Sequence, residues 1–141
     1  IITRLSKKFG IDKSIFKKFC FVEKENEFYL ANRNVSAFCQ KNLYRKFGQK
    51  LLDKDGNITN ELALIFGKHA TKNYVKVDEK LKNRWLSGFD LSASEIKDLG
   101  DFEAMENGQE ILVLFDRFCL GYGKMINGKL KNKLDRNLVF C

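Results

Sequence analysis

The step Asn127-Gly128 lies between two alternating runs, residues 120–126 and 129–133. Both central residues of a type I′ turn need positive φ, and Asn-Gly is the pair that supplies this at least cost. The segment is therefore expected to reverse as a two-residue β-hairpin. That loop length fixes the register: Ile126 opposite Lys129, Met125 opposite Leu130, Lys124 opposite Lys131, then Tyr122 opposite Lys133 and Gly121 opposite Leu134. Strand alternation sorts the side chains onto two faces. One face carries Tyr122, Lys124, Ile126, Lys129, Lys131 and Lys133. The other carries Gly121, Gly123, Met125, Leu130, Asn132 and Leu134, and is the expected core side. Gly121 and Gly123 predict a bulge or the close approach of another backbone.

Lys124 opposite Lys131 is a like-charge cross-strand pair, which costs stability. A polyanion over that face would relieve the repulsion, with Tyr122 free to stack on a base or sugar. The competing reading is an edge strand protected from aggregation by lysines. The overall balance favours the first: the formal net charge is +8 and the pI about 9.3. Such a balance selects for nucleic acid first and anionic membrane second. The charge is uneven. Residues 1–50 hold twelve Lys or Arg against four Asp or Glu, whereas residues 51–100 and 101–141 each balance. An acidic block, Asp101, Glu103, Glu106, Glu110 and Asp116, separates the two basic regions.

Thirteen phenylalanines in 141 residues supply core for one compact domain or two small ones. The segment RLSKKFGIDKSIFKKFCF reads as helical, broken near Gly10, with Leu5 and Phe9 on one face and Ile15, Phe16 and Phe19 on another. Lys7, Lys8, Lys13, Lys17 and Lys18 decorate the opposite side. EFYLA reads as a strand. Residues 36–52, with Phe38, Leu43, Phe47 and Leu51, fit either helix or strand. Asp55-Gly56 marks a turn. Asn60 is expected to cap the helix ELALIF, which Gly67 stops. YVKV alternates as a strand, Asp78 caps the helix EKLKNRWL with Leu81 and Trp85 on its apolar stripe, and Gly88 ends it. ILVLF reads as a buried strand. A further strand is expected after the hairpin, within residues 121–139.

Cys20, Cys39, Cys119 and Cys141 form no CxxC pair, so buried free thiols in a reducing cytosol are expected rather than a metal site or a disulfide framework. No apolar run is long enough to span a membrane, and no signal peptide is visible. Asn57-Ile58-Thr59 matches a glycosylation sequon that has no meaning in the cytosol. His69, the single histidine, has no identifiable partner acid or nucleophile. Lys68, Lys72 and Asn73 beside it are candidates for phosphate contact. A small enzyme built on His69 or Cys119 is the weakest of the readings, because no constellation of partnered titratable groups accompanies either residue.

LGYGKMINGKLKN resembles the strand-turn-strand signature of the PUA-like RNA-binding domain at the C-terminus of the Fmu/Sun-type, or RsmF-type, rRNA cytosine-5 methyltransferases. The matching residues are Leu120, Gly121, Gly123, Lys124, Leu130, Lys131 and Asn132. FGKHATKNYVKVDEKLKNRWLSGFDL is similar to the start of the same domain, and RLSKKFGI with its Phe-rich sequel is similar to the start of small stand-alone archaeal proteins carrying it. The family follows Leu-Lys-Asn with a proline and a Gly-Leu-Arg-like step. This chain has no proline and reads KLDRNLV, with Arg136 standing for the family's arginine.

The resemblance implies an α+β fold: a small α/β domain, residues 1–70, followed by a PUA-like β pseudo-barrel, residues 71–141. It implies a non-catalytic RNA-binding protein for structured rRNA or tRNA, in ribosome biogenesis or RNA modification, because the Pro-Cys motif of the enzyme class is absent. The expected RNA-binding residues are Tyr122, Lys124, Lys129, Lys131, Lys133, Arg136, Lys68, Lys72 and Asn73, with Gly121, Gly123, Asn127 and Gly128 building the turn. No cofactor and no metal are expected, and the chain is expected to be a cytoplasmic monomer. The alternative is an accessory subunit that binds an RNA methyltransferase or a pre-ribosomal particle, its acidic block facing a basic partner.

Overall fold

The computed structural model describes residues 1–31, 48–102 and 105–139. Phe38, Cys39, Leu43, Phe47, Glu103 and Cys141 lie outside the described residues. The N-terminal segment forms helix α1 (Ile2–Phe9), which closes at Gly10 with φ 64° and a bond from the Gly10 amide to the Ser6 carbonyl. Leu5 and Phe9 are fully buried, as their four-residue spacing requires. A 3-10 turn, Lys13–Lys18, follows behind the Asp12 cap. The helical reading of Cys20 and Phe21 is corrected: they open strand β1 (Cys20–Lys24), which pairs with β2 (Glu27–Ala31) in the register Phe21 to Leu30. Strand pairing and the edge-to-face contact of Phe21 with Phe16, 5.9 Å between centroids, outweigh a helical spacing carried by few residues. Strand β3 (Gln49–Leu52) completes this first sheet on the other side of β2.

The Asp55-Gly56 turn forms, tightened by the Asp53 carboxylate, which accepts from the amides of Asp55 and Asn57 at 2.9 and 2.8 Å. Helix α2 (Asn60–Phe66) follows. Its cap is Thr59, not Asn60. Thr59 sits in the extended region, where its hydroxyl accepts from the Leu62 amide, while Asn60 is already helical and donates to the Lys133 carbonyl at 2.7 Å. Gly67 does not stop the chain in a left-handed state either, since its φ is −58° and a 3-10 turn, Gly67–His69, runs on. Glycine is needed there for space: a Cβ would lie 2.5 Å from the Cys119 sulfur.

The second sheet is built from β4 (Tyr74–Lys76), β5 (Leu91–Ser92), β6 (Gly100–Asp101), β7 (Glu110–Phe115), β8 (Phe118–Ile126) and β9 (Lys129–Asn132), in the order β5-β9-β8-β7-β4-β6. It curls into a half-barrel. Among the described strands only β4 and β7 pair in parallel. Between β4 and β5 lies helix α3 (Glu79–Leu86), capped by Asp78, whose carboxylate accepts from the Leu81 amide at 2.8 Å. Helix α4 (Ala93–Ile96) is closed by a Ser92–Glu95 capping box. The strand expected after the hairpin is replaced by a 3-10 turn, Arg136–Leu138. Beyond Asn132 the Leu134 amide bonds the Asn132 side chain instead of a neighbouring strand, and the free side of β9 is already taken by β5.

Strand β7 explains the apolar run. Ile111 and Val113 face one core with Val75, Trp85, Leu91, Met125 and Leu130, while Leu112 and Leu114 face another with Leu5, Phe9, Phe16, Leu62 and Phe66. A strand buried on both faces shows no polar alternation. The second of these cores draws side chains from both sides of residue 70. The fold is α+β, and among the described residues no helix is long and apolar enough to cross a membrane.

Candidate nucleic-acid interface

The β8–β9 hairpin has the register that the Asn-Gly step dictates: Ile126 opposite Lys129, Met125 opposite Leu130, Lys124 opposite Lys131. Asn127 and Gly128 hold φ of 48° and 74°. Met125 and Leu130 are fully buried, and the glycines meet close neighbours. A Cβ at Gly123 would lie 2.6 Å from Leu130 Cγ, and Gly121, at φ 131°, faces Leu134 beside a bulge between β7 and β8. The hairpin is an interior pair, because β5 covers β9 and β7 covers β8. Edge protection therefore does not account for its lysines.

The lysines are nonetheless partly neutralised by the protein itself. Lys131 donates to the Asp90 carboxylate at 2.8 Å, and the Asn132 amide bonds the other oxygen at 2.9 Å. Burial alone would raise the Asp90 carboxyl, but these two bonds more than offset it and hold its pKa below the usual range. Lys124 donates to Asn57 Oδ1 at 3.1 Å. Together with Tyr122 and Lys133 it lines a cleft of about 220 Å³ that also contains Asp53 and Glu110. A neighbouring cleft of about 370 Å³ brings Asp53, Glu61 and Asp135 against Tyr122. Burial, and then the Glu110, Asp53 and Glu61 charges, push the Tyr122 hydroxyl up to about 12. Its ring packs against the second core, with Leu5, Phe9 and Leu112, rather than standing free. Lys129, Lys133 and Arg136 remain exposed. At Tyr122 the carboxylates of Asp53, Glu61 and Asp135 therefore oppose a phosphate backbone that Lys124 and Lys133 would attract.

A different arrangement gathers under α1. The Ala-Thr-Lys-Asn step, residues 70–73, caps the C-terminus of that helix. The amides of Thr71 and Lys72 donate to the Phe9 carbonyl at 2.9 and 3.1 Å, the Thr71 hydroxyl to Gly10 O at 3.0 Å, and Asn73 Nδ2 to Lys8 O at 2.7 Å. These bonds satisfy carbonyls that a helix end leaves unpaired. Asn73 takes φ 52°, which asparagine tolerates better than most residues. The consequence is that Lys72 and Asn73 lie against Arg4, Lys7 and Lys8, lining a groove of about 480 Å³ with Asp101, Phe102 and Gln109. Lys8 is held by the buried carboxylate of Glu110, which also accepts from the Ile58 amide at 3.0 Å. Arg4 donates to the Gly56 carbonyl at 2.7 Å, a bond to a neutral acceptor, and has no ion pair among the described residues. The ammonium groups of Lys7 and Lys72 have no ion-pair partner among the described residues.

Lys68 lies apart from Lys72, in a cleft of about 300 Å³ with Thr71, Tyr74, Lys76, Asp116 and Arg117. His69 is exposed. Cys119 is buried, and burial pushes its thiol up to about 11, out of reach of thiolate chemistry at neutral pH. Among the described residues no group of three or more His, Cys, Asp or Glu can hold a metal ion.

The structure thus divides the expected residues. Tyr122, Lys124 and Lys133 meet in one cleft, Lys129 and Lys131 flank Asp90, Lys72 and Asn73 join α1, and Lys68 joins Lys76 and Arg117. Sequence reasoning counts the basic N-terminal helices, with Lys7 and Lys8, as support for the RNA-binding face, but does not single out Arg4 or join these residues to Lys72 and Asn73 in one groove. The signal is present in their spacing of three and four residues, which puts all three cations on one helical face. Phe102 and Gln109 carry no such signal, because only the β6–β7 connection brings them to α1.

Comparison with known proteins bears on the same region. Residues 72–140 match the family model described as the methyltransferase RsmF PUA domain. The chain is 28% identical over 118 residues to the ribosomal RNA small subunit methyltransferase F of Shewanella oneidensis, an alignment that covers 82% of this chain and 23% of that protein. The chain accordingly spans about a quarter of the length of the curated relative it matches.

Proposed function

We propose, given that residues 72–140 match the PUA domain of the RsmF methyltransferases, that this chain binds structured RNA and catalyses nothing itself. One observation carries the reading: the groove under α1 presents Arg4, Lys7 and Lys72 together, without carboxylate partners for the two lysines among the described residues. Unpaired cations at a concave surface are the electrostatic footprint of a polyanion site. The basic cleft of Lys68, Lys76 and Arg117 extends this footprint across residues 68–76. Duplex RNA is read through shape, phosphates and 2′-hydroxyls, for which lysines and arginines suffice. An rRNA or tRNA in maturation, in the cytoplasm, is the substrate class this reading implies. The exposed Lys129, Lys133 and Arg136 add general positive charge at a distance.

The test is a salt titration of binding to a structured RNA hairpin. The logarithm of affinity should fall linearly with that of salt, and replacing Arg4, Lys7 and Lys72 by alanine should flatten the slope by roughly 0.7 to 0.9 for each phosphate no longer neutralised. An unchanged slope in a folded triple variant rejects the groove. The cleft of Asp53, Glu61 and Asp135 favours the second reading, an accessory subunit that offers an acidic face to a basic protein. A pull-down that recovers a methyltransferase, with no salt-dependent RNA binding by the isolated chain, would select it.

A further inference from the structure

The groove under α1 holds more than cations. Phe102 forms part of its wall, half-buried against the core of Ile111, Val113 and Trp85. Asn73 and Gln109 stand beside it, linked by a bond from Gln109 Nε2 to Asn73 Oδ1 at 2.9 Å. That bond leaves Gln109 Oε1 shut off from solvent with no donor among the described residues. A buried carbonyl oxygen without a partner is uncommon in a folded protein and marks a place where something else belongs. Asp101 adds a carboxylate to the same wall. Its charge disfavours a ligand that is phosphate alone and suits one that also brings N–H or O–H donors.

These features fit a ligand with a flat ring, a donor-bearing edge and one phosphate. The volume of about 480 Å³ lies in the range of small-ligand sites. It is large enough to take one nucleotide. We infer that this groove takes a single unpaired nucleotide of the bound RNA, its base against Phe102, its donor edge toward Gln109 and Asn73, and its phosphate on Lys7 and Lys72. The inference rests on the RNA binding proposed above and names the element of RNA that the groove selects. Extruding a base costs least where it is already unpaired, as in a bulge. Stacking on an aromatic ring and satisfying a stranded carbonyl both act on the base, so they add selectivity that phosphate contacts lack.

The experiment compares two RNA hairpins of equal length, one with a fully paired stem and one with a single-nucleotide bulge, each of the four bases being tried in the bulge. Binding of the full chain is followed by fluorescence anisotropy at fixed salt. At least one bulged hairpin should bind about tenfold more tightly than the paired one. Phe102→Leu keeps the apolar packing and removes the ring, and Gln109→Met removes the stranded carbonyl at similar volume. Each should bring that ratio toward one, with folding checked by thermal melting. Equal affinity of the wild-type chain for paired and bulged hairpins, or a ratio that survives both substitutions, overturns the inference while RNA binding stands. Absence of salt-dependent binding to any hairpin overturns the RNA reading itself, and the inference with it.

Discussion

Two basic regions of this protein look alike in the sequence and differ in the structure. The β8–β9 hairpin places lysines on one face, yet Lys131 is bound to Asp90, Lys124 is tied to Asn57, and Asp53, Glu61, Glu110 and Asp135 surround Tyr122. The groove under α1 gathers as many cations, and of these Arg4, Lys7 and Lys72 meet with Asp101 as the one unpaired carboxylate among the described residues that line it. Charge count along the chain therefore says little about charge available to a ligand. What matters is whether the fold returns a carboxylate to the same spot.

RNA binding should separate the two regions most widely. At about 0.1 M salt, replacing Arg4, Lys7 and Lys72 by alanine should weaken binding on the order of 100-fold, at roughly 0.7 log units for each cation removed. Replacing Lys124, Lys129 and Lys131 should weaken it only a few-fold. A reversed order, measured by anisotropy, would move the site back to the hairpin.

Next in size is a stability effect that belongs to the hairpin alone. Gly123→Ala drives a methyl group to 2.6 Å from Leu130 Cγ and 2.9 Å from the Lys131 carbonyl. Overpacking of this kind costs about 1–3 kcal/mol, readable by urea denaturation. A neutral outcome would show that the sheet can open there.

Smaller still is the Lys131–Asp90 pair. Both side chains are about a third or more exposed, so Lys131→Ala should cost under about 1 kcal/mol in a thermal melt. A larger loss would mean that the hairpin depends on its ion pair rather than on Met125 and Leu130.

The smallest effect is on pH. Glu95 accepts from the Ser92 amide and from Arg84, and these bonds lower its carboxyl from 4.5 to about 2. A depressed acid stabilises the fold above its unfolded pKa and loses that contribution as pH falls through the folded one. The contribution should be complete above pH 4.5 and vanish near pH 2, so the stability difference between the protein and Glu95→Gln should shrink by that contribution across the window. Melting both proteins from pH 5 to pH 2 checks this. Because the group is a third exposed, the difference should stay within about 1 kcal/mol.

Much of the fold is legible because its signals are local. Asn127-Gly128 dictates the hairpin register through turn geometry, Asp78 and Gly88 bracket α3, and the alternation of YVKV marks β4. The departures are local too. Cys20 and Phe21 follow a helical spacing but join a strand that only β2 can recruit, and Asn60 cedes the cap to Thr59 because one residue of backbone decides which side chain reaches the free amide. The site is less legible. Lys72 and Asn73 stand out beside His69, and they do line the groove, but their neighbours there come from residues 4–8 and 101–109.

The amino-acid order by itself determines what depends on short spacings: where the chain turns, which residues of a strand share a face, and that β7 must be buried on both sides. Tertiary structure alone decides which cations are free, because an ion pair such as Lys8 with Glu110, or Lys131 with Asp90, joins residues 102 or 41 positions apart. Coulomb interaction acts over a few ångströms of space and is indifferent to separation along the chain.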